Sequence, residues 1–136
     1  MGPRLLRRPS VSIALLVVAQ ASCVHEQLPP PVTMPAPAAA SSDELRWAIE
    51  AALATRNWTV SDRAAGSISA FVVSRGSGDN ATIEITYKPG VIEIRCVTKD
   101  VSRERYDRWM QLLSSEIQKN AAQLGMRRPP APSPPS

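Results

Sequence analysis

Proline brackets the foldable part of this chain. Of 13 prolines in 136 residues, only Pro89 falls between residues 38 and 128. Pro29, Pro30, Pro31, Pro35 and Pro37 crowd the approach, and Pro129, Pro130, Pro132, Pro134 and Pro135 crowd the exit. Each lacks a backbone donor and fixes φ, so neither flank reads as helix interior or central strand. Residues 41–125 are left to build one core. A domain of roughly 80 residues buries only ~60–65% of its unfolded surface, so its stability is marginal. Residues 1–22 have a different character. Arg4, Arg7 and Arg8 precede an apolar run, Val11 to Ala19, that falls short of the roughly 20 residues a spanning helix needs. A basic flank, a short apolar run and the small residues Ala21 and Ser22 describe a secretory signal. Cys23 follows at once.

The formal charge of +4 overstates how basic the mature chain is. Removing Arg4, Arg7 and Arg8 from 16 Lys+Arg leaves 13 against 12 Asp+Glu, a net +1. No basic run remains, so the sequence gives no footing for a nucleic-acid partner. Residues 23–40 then read as a tether. Their prolines and alanines favour extended polyproline II at about 3.1 Å per residue, a reach on the order of 50 Å for Val24 to Ala40. Residues 126–136 read as a disordered Pro-rich tail.

Between them the hydrophobic period changes twice. Ser41 with Glu44 three residues on makes a capping box. Leu45, Ala48, Ile49, Ala52 and Leu53 follow as the stripe of an amphipathic helix ending near Asn57. Trp58 to Ser61 is a short strand. In Ser67 to Ser74, Ile68, Ala70 and Val72 share one face, and Phe71 and Val73 the other. Ala81, Ile83, Ile85 and Tyr87 point inward from the next strand, and Ile92, Ile94 and Cys96 from the one after. Pro89-Gly90 between them suits a type II turn within a somewhat longer loop. A second helix opens at Ser102, carries Tyr106, Trp109, Met110, Leu113 and Ile117 on one stripe, and frays before Gly125. The expectation is an α+β, two-layer domain: an antiparallel meander of three to four strands, covered on one face by an N-terminal and a C-terminal helix.

Ala21-Ser22-Cys23 after the apolar run resembles the lipobox of bacterial lipoproteins, with Gln20 where Leu is usual. That resemblance implies cleavage before Cys23, acylation of its thiol (palmitate among the acyl groups) and a membrane anchor. Val24, rather than Asp, in the next position implies the periplasmic face of the outer membrane. Acylation of Cys23 leaves Cys96 alone and precludes a disulfide within the chain. Further motifs add to this. Arg46-Trp47-Ala48-Ile49-Glu50 leads to Arg56-Asn57-Trp58, followed by Ile83-Glu84-Ile85-Thr86-Tyr87 and by Tyr106-Asp107-Arg108-Trp109. Together they resemble a group of small bacterial lipoproteins of uncharacterised function, which pair a helix ending in Gly-Trp with an I-x-Y strand and a Tyr-Asn-x-Trp helix. Asn57 replaces that Gly and Asp107 that Asn, and the His that commonly precedes the Tyr is absent.

Catalytic chemistry finds little support. His25, the single histidine, lies in the tether, so no His base or His-rich metal site sits in the domain. Cys96 alternates with Ile92 and Ile94 and reads as a buried thiol. Asp79-Asn80 lacks the spacing of a calcium loop. Arg75-Gly76-Ser77-Gly78 joins two strands and opens no helix, so it reads as a hairpin rather than a phosphate cradle. No catalytic residue, metal or cofactor is expected. The candidates are binding residues. Trp47, offset from the helix stripe, and Phe71 and Val73, on the sheet face away from the helices, are candidate anchors for an envelope protein partner. The alternative is a carrier of lipid or a small apolar ligand, with a pocket lined by Ile85, Tyr87, Ile94 and Trp109.

Overall fold

A computed structural model describes residues 27–127 of the chain. The leader, Cys23 and His25 lie outside the described residues, as does the tail from residue 128. The elements run β1 (Val32–Pro35), α1 (Ser42–Thr55), β2 (Thr59–Ala64), β3 (Ser67–Val73), β4 (Asn80–Lys88), β5 (Val91–Asp100) and α2 (Arg103–Arg127). They form a two-layer α+β domain. Its five-stranded sheet has the order β1-β5-β4-β3-β2, antiparallel throughout, with both helices on one face.

The capping box forms as the residues dictate. Ser41 Oγ accepts from the Glu44 N–H at 3.1 Å, and the Ser41 N–H donates to Glu44 Oε1 at 2.8 Å. The α1 stripe of Leu45, Ala48, Ile49, Ala52 and Leu53 is buried. It meets the inward sheet residues Ile68, Ala70, Ile83, Ile85, Ile92 and Ile94, and α2 adds Tyr106, Met110, Leu113 and Ile117. Asn120 is the one buried polar residue among those described, and its amide donates to the Ala48 carbonyl at 3.1 Å, joining the two helices. On the other flank of α1, Arg63 of β2 reaches Glu50 with two hydrogen bonds of 2.8 and 2.9 Å.

Several boundaries differ from the sequence reading. β2, for one, runs Thr59–Ala64 rather than Trp58 to Ser61, because its pairing with β3 continues past a bulge to Ala64 opposite Ser67. Part of the expected tether is the fifth strand: Val32 to Pro35 pairs with Ile94 to Val91 of β5, and Met34 is buried to 2% exposure. Proline is tolerated there because β1 is short and at the edge of the sheet. The Pro89-Gly90 loop is two residues and no longer, since Lys88 pairs directly with Val91. The Ala36 N–H donates to the Gly90 carbonyl at 3.1 Å, holding the turn against the chain leaving β1. Finally, α2 continues through Gly125 to Arg127, with Leu124 packed on the core to hold its last turns.

The Glu50–Arg63 pair sets one pH dependence. Its hydrogen bond to Arg63 holds the Glu50 carboxyl below the ordinary value of 4.5. A lowered carboxylate contributes stability above its unfolded pKa and loses it as pH falls through the folded one. Urea midpoints of wild type and Glu50→Gln should therefore differ near neutrality and converge below pH 4.5. A constant gap at all pH values would contradict this.

Candidate binding cleft

The site begins where α1 stops. Asn57 takes a left-handed φ of 64°, its N–H donates to the Ala54 carbonyl at 3.1 Å, and the Trp58 N–H donates to the Leu53 carbonyl at 2.8 Å. This is the Schellman pattern, which turns the chain sharply and folds the following apolar residue back on the helix. Trp58 is thereby buried against the core. Asn is among the few residues with a side chain that adopt this conformation readily. Asn57→Val should cost about 1–2 kcal/mol in chemical denaturation, while Asn57→Gly should be neutral or slightly stabilising.

Trp58 meets Trp109 of α2 edge-to-face, ring centroids 6.3 Å apart and planes at 85°. Arg105 lies one turn earlier on α2, its guanidinium carbon 5.5 Å from the Trp109 centroid. It is anchored by an ion pair with Asp79 and a 3.1 Å hydrogen bond to Ser74 Oγ. The Gly-rich segment between β3 and β4 is therefore a hairpin loop pinned to the start of α2.

An open cleft of 840 Å³ runs between these parts. It is lined by Ala54, by residues 56–59 after the end of α1, by residues 72–75 at the end of β3, and by Trp109 of α2. A second hollow of 580 Å³ shares Trp109 and adds Glu104, Arg105 and Arg108. The larger cleft carries two guanidinium groups, Arg56 and Arg75, and no carboxylate. Arg56 has a partner, Glu116, at 3.7 Å. Among the described residues, Arg75 and Arg108 make no ion pair.

The residues singled out from sequence fall in different places. Trp47 is 46% exposed on the helix layer, whereas Phe71 (37%) and Val73 (58%) are exposed on the opposite, open sheet face with Val97. Val73 and Trp109 meet at the 840 Å³ cleft. Ile85 and Ile94 are cross-strand partners packed in the core and line neither hollow. Tyr87 borders a separate depression of 210 Å³ with Lys88, Val91 and Glu93. The four residues of the expected ligand pocket do not surround one cavity.

Cys96 lies in the core, where burial pushes its thiol above the ordinary value, a rise that interaction with Tyr106 and Lys99 only partly opposes. Burial likewise raises the Tyr106 hydroxyl well above its usual range. Neither group is ionised near neutral pH. Glu84 pairs with Arg95 and Glu93 lies opposite Thr86, so these two acids do not face each other. Among the described residues no cluster of His, Cys, Asp and Glu is placed to hold a metal ion, and no helix is long and apolar enough to cross a membrane.

Arg56 and Trp58 are not among the candidates read from sequence, and Arg75 enters there only in a phosphate cradle set aside in favour of a hairpin. The available signal was their position: an aromatic immediately after a helix C-cap, and arginines off every apolar stripe.

The fold and cleft define a two-layer α+β domain with one open sheet face. No protein-family model and no curated protein sequence matches the chain. Among solved structures it is similar to the vertebrate conserved region of human METTL16, with a TM-score of 0.47 and 12% identity over 68% of this chain and 98% of that one. A likeness at that level carries no functional argument.

Proposed function

We propose that this protein is a non-catalytic interaction domain of the bacterial cell envelope. It is held by acylated Cys23 at the periplasmic face of the outer membrane and engages an envelope protein through the end of β3. The observation that carries this reading is the convergence at Val73. Phe71 and Val73 are exposed on the open sheet face, and Val73 is also the rim of the cleft walled by Trp58 and Trp109. Exposed apolar residues beside a concave aromatic site are the usual make-up of a partner anchor. The lipobox-like leader supplies the address. The tether supplies the stand-off, now shortened by the residues that β1 takes into the sheet.

The test compares three tagged full-length proteins by crosslinking in living cells: wild type, Cys23→Ala, and the double variant Phe71→Ser with Val73→Ser. A discrete protein adduct is expected from wild type and from neither variant. Both serines replace exposed residues, so the double variant should keep its fold, which thermal melting of the purified protein checks. The same adduct from all three proteins, or none from wild type confirmed in the membrane, would overturn the proposal.

A further inference from the structure

We infer that the cleft takes an extended, acidic peptide segment of the partner, added as a short strand to the free edge of β3 at Val73. This rests on the protein-interaction reading and names the chemistry of the partner.

The ladder hydrogen bonds establish the free edge. The Tyr87 N–H donates to the Gly66 carbonyl, and the Ser74 N–H donates to the Asp79 carbonyl. Backbone groups along a strand alternate between its two edges. Even-numbered residues of β3 therefore turn their N–H and C=O toward β4, and odd-numbered ones toward β2. β2 pairs with β3 only as far as Thr59 opposite Phe71. The next odd position, Val73, still pairs Cα to Cα with Asn80 of β4, but nothing in β2 meets its outward donor and acceptor. The residue due opposite it is Asn57, which the left-handed helix cap has turned out of the strand path, its N–H given to Ala54. The helix cap thus creates a gap in the sheet edge.

That gap opens into the 840 Å³ cleft. A β-strand edge is satisfied by another backbone, and strand addition draws affinity from main-chain hydrogen bonds and specificity from side-chain pockets. A lipid tail or an apolar ligand would leave the Val73 donor and acceptor unmet. The flanking groups select the side chains. Arg75, which makes no ion pair among the described residues, lines the edge with Arg56, whose charge is shared with Glu116 at 3.7 Å. No carboxylate lines the cleft, so acidic residues are favoured and basic ones repelled, chiefly through Arg75. Trp109 offers a surface for an apolar residue between them.

The probe is a short, end-capped peptide of alternating Glu and Val, titrated into full-length 15N-labelled protein in detergent micelles. Shifts are expected at the Val73 and Arg75 amides and the Trp109 indole. Lys in place of Glu should weaken binding by about tenfold, the loss of two partly exposed ion pairs. N-methylation of alternate peptide amides should abolish it, and Arg75→Glu should reverse the preference between the Glu and Lys peptides. Three results would overturn the inference: no shift up to millimolar peptide, equal binding of the N-methylated peptide, or an equal response to single-stranded oligothymidylate. If no shift occurs while the Cys23-dependent adduct persists in cells, the cleft is not the peptide site and the interaction reading stands. Loss of both overturns both.

Discussion

A chain beginning at Ser41 is expected to melt far below one beginning at Gln27. The shorter chain keeps the whole helix–meander–helix pattern but loses β1. Three losses then fall together. The ladder from Val32 to Pro35 no longer covers the outer edge of β5. Met34 leaves the core, where it is almost fully buried, and Ala40 loses its packing in front of the capping box. Replacing one buried Met by Ala typically costs about 2–5 kcal/mol, against a total of about 5–15 kcal/mol for a whole domain. Removing the strand should cost at least as much. Urea denaturation of the two chains measures it directly. Equal midpoints would mean that β1 contributes nothing and that the tether extends to Ala40.

Trp58→Ala should be the most damaging single substitution at the cleft. Truncating a buried Trp costs about 3–5 kcal/mol, and here the ring also supplies the edge-to-face partner of Trp109. Trp109→Ala is the informative comparison, because Trp109 is only partly buried and packs at the margin of the core. The smaller loss of stability is expected from Trp109→Ala, with an equal loss of peptide binding. Were Trp58→Ala to bind peptide as well as wild type after correction for folding, the aromatic wall would have no part in recognition.

Much of the fold was legible because local rules agreed. Ser41 and Glu44 specify one helix start, and the stripe from Leu45 to Leu53 specifies one buried face. Clean alternation from Ala81 to Tyr87 and from Val91 to Cys96 specifies two strands and their inward sides. Phe71 and Val73 were placed on the correct sheet face by alternation alone. β1 was not legible. Its pairing with β5 depends on β5 having an open edge, which only the assembled sheet reveals, and three consecutive prolines just before it argue locally for polyproline II.

The cleft was hidden for a related reason. Arg56, Val73, Arg75 and Trp109 come from the C-cap of α1, β3, its following loop and α2, and no spacing in sequence reports their meeting. Asn120 illustrates the same limit: a polar residue late in a helix reads as solvent-facing until the Ala48 carbonyl is known to lie within reach. Placing Ile85 and Ile94 in a pocket identified inward-facing residues correctly. Inward residues at the centre of a small two-layer domain, however, are consumed by packing.

The most direct test of the central claim is photo-crosslinking in living cells from single positions, with a photoreactive residue replacing Val73 in one protein and Trp47 in another. Both sites are exposed, and they lie on opposite layers of the domain. The account predicts a discrete adduct from position 73 that disappears when Cys23 is changed to Ala, and none of that mass from position 47. An adduct from position 47 alone would put the interface on the helix layer and contradict the account. Silence at position 73 in a protein confirmed at the membrane would contradict it as well.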